Sequence, residues 1–322
     1  VANCTIVKCL SNDGVTIHSG GRDAQGIRQG LAGDKNIIAN NVIGLCPEES
    51  IDITSGDYHT IRGNICYGNR NPGIIIGHDS DHILVQNNIC FNNGHAGIYV
   101  SGSEPEGARG ENVVVGNLVY DNRYPGLEIQ SPGTKVFNNT VVNSRERVNV
   151  RISEGGRDCV IRNNIIATTR PEIRHASLQF LLGTPASYRA TLDHNLFFHA
   201  GRPDGRVIQT AEGHTKTPDG QLVHRGAVDF TPAELLAKYG TGGDCVIADP
   251  LFAAMGRMAY FLSPGSPALG RGIPVGFPHR GAAPDLGWKE LGAEDTAPSL
   301  PAELIDGEED EKLILRLWGK TR

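Results

Sequence analysis

Residues 60–76 read TIRGNICYGNRNPGIII, and residues 84–100 read LVQNNICFNNGHAGIYV. Laid over one another, these stretches put Ile61 on Val85, Asn64 on Asn88, Cys66 on Cys90, Asn69 on Asn93 and Ile74 on Ile98. Self-similarity at a period of about 20–50 residues is the signature of a stacked-repeat architecture. The pattern extends in both directions through Asn41, Asn64, Asn88, Asn117, Asn139, Asn164 and Asn195, at intervals of 23, 24, 29, 22, 25 and 31. Three residues before each of these stands an apolar residue: Ile38, Ile61, Val85, Val114, Val136, Ile161 and Leu192.

Within each repeat, apolar residues alternate with a period of two over short stretches, the mark of a half-buried strand. Ile51 and Ile53, Ile74 and Ile76, Ile98 and Val100, and Leu127 and Ile129 are such pairs. A coil this short has no room for a crossover helix. Strands therefore stack on their counterparts in the next coil, about 4.8 Å away. An asparagine at the bend satisfies backbone groups there, and stacked amides bond along the axis. A second polar column follows five residues on, at Asn69, Asn93 and Asn122, with Ser144 in the next rung. The fold expected is all-β, a right-handed parallel β-helix with a short C-terminal capping segment. Leucine-rich repeats would need L-x-x-L-x-L at fixed spacing, which is absent.

Of the 322 residues, 41 are glycine and 18 proline, and only 6% are aromatic, so Val, Ile and Leu must build the core. The net charge of -6 argues against nucleic acid as a partner, which calls for a basic footprint. No apolar run of about 18 residues suggests a membrane partner or span. Seven cysteines, an odd number with no C-x-x-C pair, read as core residues rather than a disulfide framework. The chain opens in repeat-like sequence without a signal peptide, as a trimmed or processed piece would. Three regions are expected: coils over 1–200, an irregular closing region of the same domain over 201–288, and an acidic tail over 289–322. Thr231-Pro232-Ala233-Glu234 marks a helix start by its capping box, and Gly240 its end.

The closing region carries Asp249-Pro250-Leu251-Phe252, then Leu262-Ser263-Pro264-Gly265-Ser266-Pro267-Ala268, then Asp285-Leu286-Gly287. Together with the asparagine-marked coils, this resembles bacterial secreted β-helix proteins of the pectate-lyase-like superfamily, over residues 4–288. The resemblance implies the fold and a secreted, periplasmic or cell-surface location. It leaves the reaction open, since that superfamily holds polysaccharide lyases, glycoside hydrolases, epimerases and proteins without known activity, and fold does not fix function.

Coils in register align their outward residues. Eleven residues after the asparagine come Asp52, Ile75, Tyr99 and Glu128; thirteen after come Thr54, Gly77, Ser101 and Gln130. The first-coil equivalents are Thr16 and His18, and the sixth-coil ones, with a one-residue slip, Asn149 and Arg151. Longer connections at residues 20–34 and 103–110 flank two tight ones. A cleft is expected between them, with Asp52, Thr54, Asp57, His59, His78, Asp79 and Tyr99 on its floor. Its walls would carry Arg22, Asp23, Arg28, Glu104, Glu106 and Arg109. Convergent polar groups in a concave place make the default site.

His78 suits proton transfer near neutral pH, and Asp52 is a carboxylate in mid-strand, where aspartate is disfavoured. Asp79 and Glu128 are further acid–base candidates, and Tyr99 is either a base or a sugar platform. Arg109, Arg123, Arg151 and Gln130 are candidate substrate-binding residues, with Arg70, Arg145 and Arg147 extending a basic stripe suited to carboxylates. Asp57, Asp79 and Asp81 with Glu49 offer oxygen ligands for Ca2+. Each of these has a plain alternative as a solvated turn or strand residue. The expected partner is a polysaccharide or oligosaccharide. The expected activity is that of a polysaccharide lyase on an acidic glycan. The alternatives are a glycoside hydrolase with paired carboxylates on the same face and a non-catalytic carbohydrate-binding or structural solenoid.

Overall fold

The computed structural model describes residues 1–18, 33–101, 110–153, 155–216, 222–255 and 259–293, without the side chains of residues 78, 79, 214–216 and 222. Each coil contributes three short strands. Sheet 1 collects seven strands, from Ile37–Ala39 to Thr191–Asp193, that precede the asparagine column. Sheet 2 collects nine that follow it, from Thr5–Val7 through Ile89–Phe91 to Val246–Ile247. Sheet 3 collects nine, from Val15–Ile17 through Ile98–Val100 to Val228–Phe230. Pairing from coil to coil is parallel, with Ile61 on Val85, Cys66 on Cys90 and Ile74 on Ile98, and only the last strand of sheet 3, Val228–Phe230, joins antiparallel among the described strands of these sheets.

The bends have a common cause. The residue before each ladder asparagine takes the left-handed conformation: Asn40, Gly63, Asn87, Gly116, Asn138, Asn163 and His194 have φ of 54, 63, 53, 64, 50, 60 and 51°. Asparagine and glycine dominate these positions because they tolerate that conformation best. Behind each bend the amides form a continuous buried ladder. Asn41, Asn64, Asn88, Asn117, Asn139 and Asn164 each donate from Nδ2 to Oδ1 of the next asparagine at 2.9–3.0 Å. The same Oδ1 atoms accept backbone N–H groups, so both ends of each amide are engaged. Buried polar groups stabilise only when so paired.

Inside the coils, Ile38, Ile51, Ile53, Ile61, Ile74, Ile76, Val85, Ile98 and their counterparts form one apolar core. The core's C-terminal end is closed by the helix Pro232–Tyr239. Thr231 and Glu234 form its capping box, Gly240 ends it at φ 70°, and Leu235 enters the core fully buried. Residues up to 211 still build coils, since Ile208–Ala211 adds a parallel strand to Leu178–Leu181.

Residues 249–255 and 259–293 include the segments that pack on the outer face of sheet 2. There Tyr67, Phe91 and Tyr120 stack with ring centroids 5.5 and 5.0 Å apart, and Tyr260 continues the row at 5.2 Å. Leu262, Ala268 and Leu286 are buried against the same face. The motif residues hold each other: Ser266 Oγ donates to the Pro250 carbonyl at 2.6 Å, and the Leu286 N–H to the Ala268 carbonyl at 3.0 Å. Sheet 3, on another face of the solenoid, carries a largely polar outward column. Among the described residues no helix is long and apolar enough to cross a membrane.

Candidate functional site

Strand alternation sends Ile98 and Val100 into the core and Tyr99 outward. Because sheet 3 is in register, the outward positions form one column: Thr16, Asp52, Ile75, Tyr99, Glu128, Arg151, Gln179 and Gln209. A second column lies on the preceding turn. The residues three before the strand starts Ile51, Ile98, Leu127, Val150 and Leu178 are Glu48, His95, Tyr124, Arg147 and His175. Each coil therefore offers a turn residue and a strand residue four apart in sequence on the same edge of sheet 3.

In the middle coils these columns assemble a polar, aromatic and cationic patch. Tyr99 Oη donates to Gln130 Oε1 at 2.8 Å, and Gln130 Nε2 lies 3.5 Å from Glu128 Oε1. Glu128 is only 7% exposed, and Arg151 Nη1 stands 3.7 Å from its Oε1. Arg151 Nε donates to Gln179 Oε1 at 3.1 Å, and Gln179 passes the chain on to Gln209 at 2.6 Å. On the turn side, His95 meets Tyr124 edge-on at 5.0 Å and Tyr99 at 6.1 Å. The guanidinium groups of Arg123 and Arg147 lie over the Tyr124 ring at 5.3 and 5.2 Å, contacts that add cation–π attraction.

Burial holds the His95 pKa below its usual 6.5, against the pull of Glu128 and helped by the charges of Arg151, Arg123 and Arg147. His95 Nδ1 is buried without a hydrogen-bond partner among the described residues. Burial, then the charges of Arg147, Arg202 and Arg151, lower the His175 pKa against the pull of Glu146.

A second cluster lies at the N-terminal end of the same face. Asp13, Glu48 and Glu49 bring one carboxylate oxygen each within 4.8 Å of one another. Asp13 Oδ1 accepts the Glu49 N–H at 2.9 Å, and Asp13 Oδ2 accepts from Thr16 Oγ1 at 2.8 Å. Burial and then the charges of Asp13 and Glu48 push the Asp52 pKa up to about 7, and its Oδ1 is buried without a partner among the described residues. Burial, Asp13, Asp52 and Glu48 together push Glu49 up to about 8. Oxygen-only ligands of this kind suit a hard cation such as Ca2+.

The sequence-derived candidates are thus divided. Tyr99, Glu128, Gln130, Arg123 and Arg151 come together in one patch, with Arg123 also paired to Glu146 at 3.1 Å. Asp52 is separated from Glu128 by the rungs of Ile75 and Tyr99 and belongs to the acidic cluster. Asp57 and Asp81 sit in a turn ladder: the Asp81 N–H donates to Asp57 Oδ1 at 3.1 Å and the Gly110 N–H to Asp81 Oδ1 at 2.9 Å. The backbone of His78 and Asp79 lies in the strand Ile74–Asp79. Their side chains fall outside the described residues, as do Arg109 and the other expected cleft walls.

Two placements are corrected. His59 is a buried turn residue, accepting the Asn36 N–H at Nδ1, and not part of an open floor. Arg151, not Asn149, occupies the Glu128 column. Asn149 turns inward, accepting the Ser144 N–H and donating to the Ala167 carbonyl at 2.9 Å, because the serine in the second polar column cannot span the rung alone. Arg147, read from sequence as part of the basic stripe, falls in this patch, whereas His95, Tyr124, His175 and Asp13 were not singled out as site residues. Counting three back from each sheet 3 strand would have found the first three of these.

The Azotobacter vinelandii mannuronan C-5 epimerase AlgE6 A-module is similar in structure, with 16% sequence identity and a TM-score of 0.43. The likeness covers 57% of this chain and 52% of that one, so it spans about half the length of the module. No curated protein matches the chain. Residues 1–172 match the family model described as the right handed beta helix region. With more than half its length in that match, and with coils that show the expected pairing, the chain belongs to the right-handed β-helix family.

Proposed function

We propose that this protein acts on an acidic polysaccharide by abstracting the proton beside a uronate carboxylate, the step shared by β-eliminating lyases and uronate epimerases. One observation carries this reading. His95 is held neutral, with Nδ1 buried and without a partner among the described residues, beside two tyrosines and within the field of three arginines. A neutral imidazole is a competent base near pH 7. The arginines that lower its pKa also favour the negative charge that develops on the uronate once the proton leaves. Tyr124 and Tyr99 offer flat faces to sugar rings. The Tyr99 hydroxyl, oriented by Gln130, is a proton source for the leaving oxygen in elimination or for the ring carbon in epimerisation.

At the His95 patch, hydrolysis by two carboxylates draws less support. Glu128 is paired with Arg151, and Glu146 with Arg123. Asp52 lies three rungs from Glu128, about 14 Å at the usual strand spacing, beyond the roughly 5–10 Å that paired glycosidase carboxylates need.

The test is incubation with uronans and with neutral glycans in deuterated water. It reads ultraviolet absorbance of an unsaturated uronate, deuterium at the ring carbon, and new reducing ends. Absorbance or carbon-bound deuterium with uronans alone is expected, and His95→Asn should lower the rate by about 10²-fold or more. New reducing ends with neither signal, or a His95→Asn enzyme of unchanged rate, would overturn the reading.

A further inference from the structure

Two cysteines stand where the middle coils use asparagine. In the turn between sheets 2 and 3, Asn69 Nδ2 donates to Asn93 Oδ1 at 2.8 Å, and Asn93 Nδ2 to Asn122 Oδ1 at 2.9 Å, tying each coil to the next. Cys46 sits one rung before Asn69 in this column, its N–H donating to Asn69 Oδ1 at 3.0 Å. Cys9 lies one rung earlier still. Val7 pairs with Gly44, the Lys8 N–H donates to the Gly44 carbonyl at 3.1 Å, and Lys8 and Leu45 share left-handed φ values of 56 and 57°. The two turns therefore superpose, cysteine over cysteine. Their Sγ atoms are 2.8 Å apart, well inside an ordinary non-bonded sulfur contact. Neighbouring parallel strands run about 4.8 Å apart, within the Cα separation of about 4.4–6.8 Å that a disulfide spans.

We propose that Cys9 and Cys46 form an oxidative modification site, a disulfide that staples the first coil to the second in place of the asparagine bond used further along. Cys9 is partly exposed and Cys46 is buried. The partly exposed sulfur therefore reacts first with an external small-molecule disulfide. The Cys9 thiolate attacks one sulfur of the reagent and expels the other as a thiolate, which takes up the proton Cys9 released. Cys46 then gives its proton to the second departing thiolate as its sulfur attacks the Cys9 sulfur of the mixed disulfide. One protein disulfide forms, and one reagent disulfide is reduced to two thiols.

Burial and the neighbouring Cys9 push the Cys46 thiol pKa far up, which keeps Cys46 from acting as the entry point. Cys66 and Cys90 are also in register, but both are 0% exposed, so no reagent reaches either sulfur in the folded protein. The staple would fix the turn carrying Asp13 against the turn carrying Glu48 and Glu49, and so hold the acidic cluster together.

The test treats the folded protein with oxidised glutathione, labels the remaining thiols with a maleimide in denaturant, and maps the peptides by mass. The expected result is that Cys9 and Cys46 become unreactive together without carrying glutathione, while the exposed Cys4 carries at most a glutathione adduct. A Cys9–Cys46 linked peptide pair should appear, lighter by two hydrogens, disappear with dithiothreitol, and be absent in Cys9→Ser and Cys46→Ser. The wild type should also melt at a higher temperature after oxidation, and Cys9→Ser should not. All seven thiols still reactive, a glutathione adduct that persists on Cys9, or a cross-link between any other pair would overturn the assignment. Since the mapping is done on the wild type, a variant that fails to fold leaves it intact.

Discussion

The acidic cluster makes the stability of this solenoid depend on pH in a direction opposite to that of most carboxylates. Asp52 is pushed from 3.8 to about 7 by burial and by its acidic neighbours, so the folded protein holds a proton there that the unfolded chain has already lost. Stability contributed by that proton is complete below about pH 4 and drains away as pH rises towards 7, because the folded state binds more protons than the unfolded one across that window. Glu49, raised from 4.5 to about 8, adds a loss of the same sign that runs slightly higher.

Three units at about 1.4 kcal/mol each set an upper bound near 4 kcal/mol for Asp52. Its partial exposure to water screens this to about 1–2 kcal/mol. Asp52→Asn keeps the size of the side chain and removes the charge at every pH. It should match the wild type at pH 4 and exceed it by about 1–2 kcal/mol at pH 8, a gain of a few degrees in Tm. Thermal melts from pH 4 to 9 would read this, with a chelator present because a cation on Asp13, Glu48 and Glu49 would stabilise the ionised forms and reverse the trend. An Asp52→Asn protein that parallels the wild type at all pH values, or is the less stable of the two at pH 8, would show that Asp52 is ionised at no cost.

Two further outcomes follow from the ladder and from the basic patch. Asn117→Ala removes the oxygen that accepts from both the backbone N–H and Nδ2 of Asn88. The Asn88 backbone N–H is left unpaired and Nδ2 keeps only the Ile61 carbonyl, at about 1–3 kcal/mol for each lost bond, so the urea midpoint should fall sharply and amide exchange should quicken first in the coils on either side. An exchange pattern like that of the wild type would mean that water replaces the amide. For the proposed reaction, kcat/KM should decline as pH drops through a midpoint below 6.5, because His95 must be neutral to accept a proton and its pKa is lowered. Arg147→Gln, which removes one of the charges that lower it, should move that midpoint up; a midpoint above 6.5 in the wild type would argue against His95 as the base.

Much of the candidate site could be read before any coordinates because a solenoid converts sequence spacing into spatial columns. Once Asn64 and Asn88 are aligned, Tyr99 and Glu128 must be neighbours on one face, and they are. The turns were less legible. Tyr124 and His95 lie among residues whose conformation is set by left-handed bends and not by period-two alternation, so no pattern marks which of them lean onto sheet 3. The slip at Asn149 has the same origin: serine replaced asparagine in the ladder, and the coil rearranged to bring in another amide.

The chain's own periodicity was enough to determine the architecture, the core, the amide ladder and the polar face, since each follows from local pairing between one coil and the next. Charge and protonation were decided only by the tertiary structure. Whether Asp52 holds a proton, whether His95 is neutral, and whether Glu128 is spoken for by Arg151 depend on burial and on the sum of neighbouring fields. Those quantities come from side chains that meet across several coils at distances no spacing rule encodes.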